Sequence, residues 1–328
     1  MNATAIDRLF LGLDVAKGKA DVCLLQPDGR RLEECFESSR RGHAKLLAWL
    51  EGHRAHRPVH AALESTGPYS RAWCELLHAA GHAVSLLNPA RPKAYAQACG
   101  QRNKTDRVDA RLLAEFAAER HPSRWTPPAQ HIEELKELTR RREDLLALIQ
   151  AEKNRVESAL CKSVRDSLSR SIRALEQEKE RVEDELEQLV ARHATLRAKE
   201  KLLCSIPGIG PVTARKILAE LPEVSRFENA RQAAAYAGLS PRRHESGKTV
   251  HKKGRLCKAG NATLRKAFYM PAHVAVKHNP LIKAFAQRLR AKGKCENVIL
   301  GAAMRKLLHI AFGVLKHNKP FDPAYAKP

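Results

Sequence analysis

Two apolar segments near the N-terminus each end on an acid, which ties this part of the chain to a sheet with carboxylates at its strand ends. Leu9-Phe-Leu-Gly-Leu reads as a buried strand running into Asp14, and Val59-His-Ala-Ala-Leu63 as another running into Glu64. Apolar strands seldom end on unpaired acids, because a charge left without a partner at the edge of a core is costly. Between them, Ala20 to Leu25 reads as a strand, Gln26-Pro-Asp-Gly29 as a turn and Arg31 to Phe36 as a returning strand, an antiparallel meander. Helical spacing over His43 to Leu50 and Arg71 to Ala80, with a strand at Ala83 to Leu87, completes a mixed α/β sheet.

A second pair of acids follows. In Asn103-Lys-Thr-Asp106-Arg-Val-Asp109-Ala-Arg111, the residues Val108, Leu112, Leu113 and Phe116 recur at helical spacing, so Asp106 and Asp109 share one helix face. Two carboxylates that close repel unless a cation sits between them, and hard divalent ions such as Mg²⁺ take carboxylate oxygens. A solvated helix start, with Thr105 or Asp106 as N-cap, explains the same residues. Ligands of open α/β sheets bind at strand ends, so this helix, packed across Asp14 and Glu64, would make a four-acid site.

Charge points to the partner. The chain carries 59 Lys and Arg against 36 acids, a net +23, and the stretch from Ser240 onward holds 20 of the cations and 3 of the acids. That leaves +17 there and +6 over the rest, so a polyanion, nucleic acid above all, is expected along the C-terminal third. The eight cysteines form no C-x-x-C pair, which argues against zinc and for reduced thiols in a cytosol. No signal pattern precedes the first strand and no apolar run suggests a membrane span, so no membrane partner is expected.

Trp125-Thr-Pro-Pro128 reads as a domain boundary. From Ile132 to Leu196, mostly apolar positions alternate three and four apart in two registers, the first interrupted by Arg142 and Glu152 and the second by Lys179 and His193, which predicts two long helices with a break near Ser163 to Ser169. They form either a hairpin within one chain or a dimer-forming coiled coil, with the subunit contact preferred. Gly208-Ile-Gly210-Pro opens the next helix. It is either a phosphate-holding turn of helix-hairpin-helix type or a tight helix connection. Next comes a loop of glycine-spaced cations suited to a phosphate backbone: Arg242, Arg243, Lys248, Lys252, Lys253, Arg255 and Lys258. It contains Ser246 as an exposed hydroxyl, with Ser240 as a rival. The rest, Ala262 to Val276, Leu281 to Lys292 and Val298 to Leu315, reads as basic helices.

Gly-Leu-Asp14 on strand one, Leu-Glu64-Ser-Thr-Gly on strand four and Asn-Lys-Thr-Asp106-Arg-Val-Asp109-Ala-Arg on a late helix stand in an order that resembles a RuvC-type ribonuclease-H-like nuclease domain. Their wording resembles the DEDD transposases, insertion-sequence recombinases guided by a bridge RNA, over nearly the whole chain. The resemblance implies three parts: a RuvC-like metal-dependent nuclease domain (1–127), a coiled-coil dimerisation spacer (128–200) and a basic, mainly α transposase domain (201–328). It implies two Mg²⁺ ions on Asp14, Glu64, Asp106 and Asp109, and Ser246, in Glu-Ser-Gly, as the nucleophile of a covalent phosphoserine intermediate. Lys104 and Arg107 beside the acids, the basic loop and the Gly208 and Gly210 backbone would hold nucleic acid. Bridge RNA would pair with donor and target DNA, and dimers would assemble into tetramers in a prokaryotic cytosol. A Holliday-junction resolvase would need the acids but no serine. A non-catalytic nucleic-acid-binding protein would not need four intact acids, and an actin-like phosphotransferase leaves the C-terminal charge unexplained.

Overall fold

A computed structural model describes residues 8–101, 105–246 and 250–325, with the backbone alone at 243–246, 250–254 and 325. It divides into two compact units, Met1–Pro127 and Pro128–Pro328. The first is a mixed α/β unit and the second is mostly helical.

In the first unit the chain runs β1 (Leu9–Val15), β2 (Lys19–Leu25), β3 (Arg31–Glu37), α1 (Arg40–Arg54), β4 (Val59–Glu64), α2 (Pro68–Ala79), β5 (Ala83–Leu87), α3 (Ala90–Ala98) and α4 (Asp106–Arg120). The sheet order is β3-β2-β1-β4-β5. The two early hairpins pair antiparallel, whereas β4 joins β1 and β5 joins β4 in parallel. Both faces are covered, so the central strands are apolar throughout rather than alternating. Leu9, Leu11, Leu13 and Val15 face α1 and α2, packing with Leu46, Leu50, Trp73 and Leu77. Phe10, Ala62 and Leu87 face the other way, against Tyr95 of α3 and Leu112, Leu113 and Phe116 of α4.

Gly12 sets how closely α4 approaches. A Cβ built there would lie 1.9 Å from the Ala110 carbonyl oxygen and 2.5 Å from the Ala114 nitrogen, so the helix backbone rests on the strand backbone. Ala110 and Ala114, with Cys23 of β2, complete this dry contact. Ion pairs fix the helix along its length. The Arg111 guanidinium grips both oxygens of Glu33, and Arg31 Nη2 donates to Glu115 Oε1 at 2.6 Å.

The second unit opens with the hairpin α5 (Gln130–Ser158) and α6 (Lys162–Arg192). Its seam is closed within the chain: Leu135, Leu145 and Ile149 are buried, as are Val182, Leu186 and Leu189. Arg142, the cation at a seam position, donates to Glu183 across the hairpin at 2.7 Å. The turn falls at 159–161, earlier than the serine-rich 163–169 stretch expected to break the helix. Ser169 is helical, its hydroxyl donating back to the Arg165 carbonyl at 2.8 Å, so serine does not interrupt this helix.

Beyond the hairpin come α7 (Ala194–Cys204), α8 (Pro211–Glu220), α9 (Ala230–Tyr236), a ribbon of β6 (Pro241–Ser246) and β7 (Val250–Leu256), then α10 (Ala262–Ala267), α11 (Tyr269–His278), α12 (Pro280–Ala291) and α13 (Glu296–His317). Two expectations change here. The basic loop is a β-ribbon, and the helix expected over Ala262 to Val276 is two, meeting at Phe268. A third concerns α13, which is long and apolar enough to cross a membrane by length and composition, contrary to the reading that no such run exists. Its Ile299, Ala303, Met304, Leu307, Leu308, Ala311 and Phe312 are buried in the core of the unit, which accounts for their hydropathy.

Because Gly12 leaves no room for a methyl group, Gly12→Ala forces α4 off the sheet. It should lower the unfolding free energy by about 1–3 kcal/mol, read from the urea midpoint of the full-length protein. An unchanged midpoint would contradict the close approach.

Candidate active site

Parallel pairing places Leu13 beside Leu63, so Asp14 and Glu64, one residue further on each strand, end neighbouring strands at the same level. Side chains alternate along a strand, and both acids fall on the Gly12 and Ala62 side, the side α4 covers. Each is half-buried. The helix begins over these strand ends: Thr105 caps it, accepting from the Val108 amide at 3.4 Å, with Asp106 and Asp109 in the first turn. Acids there meet the positive end of the helix dipole. Asp109 shares a stripe with Leu112, Leu113 and Phe116, which pack beside Ala62, so it lies on the β4 side of the helix. The four acids expected from sequence therefore belong to one end of one sheet face.

Two residues of this end were missed. Asp21, on β2, sits directly opposite Asp14 in register and is only 5% exposed. Lys19, two residues earlier and thus on the same face, places its Nζ 2.8 Å from Asp21 Oδ2 and 2.9 Å from Asp106 Oδ2. Hydrogen bonds that the ammonium donates to Asp106 and then to Asp21 raise the lysine pKa, holding it charged. The signal in the sequence was Lys-Ala-Asp: on a strand, period two puts that cation and acid on one face. Further along the face, the Arg111 guanidinium lowers the Glu33 pKa and keeps that carboxylate ionised.

Carboxylate oxygens suit a hard divalent cation, and Asp14, Glu64, Asp106 and Asp109 fit that chemistry by type and by face. As they stand, among the described residues, no three His, Cys, Asp or Glu side chains form a group that could hold a metal ion. Asp106 is shared with an ammonium instead.

In the second unit the ribbon sets Arg242 opposite Arg255 and His244 opposite Lys252, with a bulge between Arg242 and His244. Like charges directly opposite destabilise a ladder, which a polyanion would relieve. Arg242, Arg255 and Lys258 are exposed, as is Arg107 on α4. Lys104 and Lys248 lie outside the described residues, as do the side chains of Arg243, Ser246, Lys252 and Lys253. The Ser246 backbone pairs with Val250 at the outer end of the ribbon.

The base of the ribbon is held by polar groups. Arg305 Nη1 donates to the Ser240 hydroxyl at 3.1 Å and to the Leu239 carbonyl at 3.3 Å, which gives Ser240 a bracing role. Arg265 Nη1 donates to the Ala237 and Lys258 carbonyls, both at 3.1 Å. Asn261 caps α10 through the Leu264 amide and donates to buried Glu220 at 2.8 Å, while Arg140 of the hairpin reaches the same carboxylate at 3.3 Å. Gly208 has φ +106°, and a Cβ there would meet the Pro271 carbonyl at 2.9 Å, so the Gly208–Gly210 turn is packed against α11. Gly210 is exposed at the start of α8.

The sequence is similar to two transposase family models. One, the DEDD transposase of IS110, matches residues 11–164, and the other, the transposase of the IS116/IS110/IS902 family, matches residues 200–287. A pilin gene-inverting protein of Moraxella bovis is 34% identical over 323 residues, covering 97% of this chain and 98% of that protein. A transposase for insertion sequence element IS1111A of Coxiella burnetii is 25% identical over 310 residues, covering 83% and 79%. An insertion element IS110 protein of Streptomyces coelicolor is 27% identical over 156 residues, 48% of this chain and 37% of that one.

Asn261→Ala removes a helix cap and leaves the buried Glu220 carboxylate short of a donor. It should cost about 1–3 kcal/mol of stability, measured by urea denaturation; a neutral result would contradict the clamp.

Proposed function

The chain belongs to the IS116/IS110/IS902 family of transposases, which cut and transfer DNA, and we propose that its chemistry is divided between the carboxylate face of the first unit and the serine ribbon of the second. The observation that carries this reading is the seating of α4, which begins over Asp14 and Glu64 with Asp106 and Asp109 in its first turn. This arrangement supports a RuvC-like nuclease domain, with Asp14, Glu64, Asp106 and Asp109 as holders of two Mg²⁺ ions. Bound there, Mg²⁺ would neutralise the scissile phosphate and steady the leaving oxygen.

Ser246 supplies the nucleophile. Its Oγ bonds to phosphorus as the bond to one strand oxygen breaks; the serine proton is given up and the departing strand leaves as a hydroxyl. The phosphoserine ester keeps the phosphodiester's bond energy for rejoining. Lys104, Arg107, Arg242, Arg243, Lys248, Lys252, Lys253, Arg255 and Lys258, with the Gly208–Gly210 backbone, hold nucleic-acid phosphates. Target choice is delegated to a bridge RNA that pairs with donor and target DNA, as in other RNA-guided enzymes. The protein acts in the prokaryotic cytosol as dimers that form a tetramer. With the hairpin seam closed internally, Leu148, Leu160 and Val164, exposed on its outer surface, supply apolar area for the subunit contact. A second reading, inversion of a DNA segment, is favoured by the 34% identical relative named a pilin gene-inverting protein.

The full-length protein, Mg²⁺, RNA transcribed from the DNA flanking the gene and labelled DNA should yield a denaturant-resistant protein–DNA adduct. Ser246→Ala should abolish it, and Asp14→Asn should slow cleavage roughly 100-fold or more. Undiminished cleavage by Ser246→Ala would replace the recombinase mechanism with plain hydrolysis.

A further inference from the structure

We infer that Lys19 is a tethered counter-ion of the carboxylate face that competes with a divalent cation for Asp106, so that this one side chain sets how tightly the site takes metal. The inference rests on the metal-holding reading proposed above. Asp14 and Asp21 stand opposite each other on adjacent antiparallel strands, an arrangement that is destabilising for like charges. Water relieves little of it, because Asp21 is 5% exposed. Lys19 sets a positive charge on the same strand face, bridging Asp21 Oδ2 at 2.8 Å and Asp106 Oδ2 at 2.9 Å.

The two anchors differ. Asp21 is enclosed and fixed by the strand that carries it, whereas the Asp106 side chain is 56% exposed in the first turn of α4. The ammonium therefore has one permanent partner and one exchangeable partner. A divalent ion brings twice the charge and accepts several oxygens at once. It takes Asp106 from Lys19, which stays bonded to Asp21 and repels the incoming ion. The opposite role, a prop that aims Asp106 at the metal, predicts the opposite sign when Lys19 is removed.

Mn²⁺ binding to chelator-stripped full-length protein, followed by electron paramagnetic resonance, separates these cases. Lys19→Met should tighten Mn²⁺ binding by at least roughly five- to tenfold, the scale of one unit charge a few ångströms away across water. Lys17→Met, which removes an exposed cation of the same β1–β2 turn, should change it less than twofold. Unchanged or weaker binding by Lys19→Met, or equal tightening by Lys17→Met, would overturn the competition. If Asp14→Asn leaves wild-type Mn²⁺ binding intact, the carboxylate site itself fails, a result distinct from either. Should Lys19→Met not fold, amine acetylation of the wild type read by mass spectrometry gives the same decision. Lys19 should label faster once MgCl₂ frees it from Asp106, and no acceleration would overturn the inference.

Discussion

The first unit depends on the contact between two backbones at Gly12. A strand and a helix normally keep apart by the width of their side chains. Here the Ala110 carbonyl and Ala114 amide come so near that even a methyl group would overlap them. The close approach brings the first turn of α4 down to the strand ends, so acids distant in sequence share one face. Ion pairs from Arg111 to Glu33 and from Arg31 to Glu115 then fix the helix's rotation about its axis. Rotation matters as much as distance, because it decides which side of the helix Asp106 and Asp109 present.

Electrostatics explains why the site looks as it does. Gathering Asp14, Asp21, Glu64, Asp106 and Asp109 at one end of a sheet concentrates negative charge, and the resident answer is an ammonium bonded to two of them. The second unit has the opposite problem. Its ribbon sets cation against cation at Arg242 and Arg255, and its base is braced by Arg265, Arg305 and Asn261 bonded to the buried Glu220. The first unit gathers acids at one end of its sheet and the second sets cations along its ribbon, and each local excess calls for a counter-charge of opposite sign.

Much of this was legible in the sequence where a single physical signal dominated. Apolar runs ending in Asp14 and Glu64, and the helical spacing after Asp106, led to the sheet and the helix because burial enforces periodicity. Lys19 and Asp21 were not legible as part of the site, since their meaning lies in strand register: only pairing shows that Asp21 opposes Asp14. The ribbon at Pro241–Ser246 and Val250–Leu256 was read as a loop because its glycines and cations are poor strand formers. Cross-strand pairing, which propensity does not see, holds it. The hairpin seam was readable, but whether Arg142 met its acid in the same chain or another was not; Glu183 answers that within the chain.

The central claim is that carboxylates brought together by the seating of α4 form a divalent-metal site. Crystals of the full-length protein soaked in MnCl₂ and measured at the manganese absorption edge test it most directly. The account predicts an anomalous peak within about 2.3 Å of Asp14 and Glu64 oxygens, with Asp106 turned from Lys19 toward it. Manganese bound elsewhere, with Asp106 still on Lys19 and no peak at the strand ends, would contradict it.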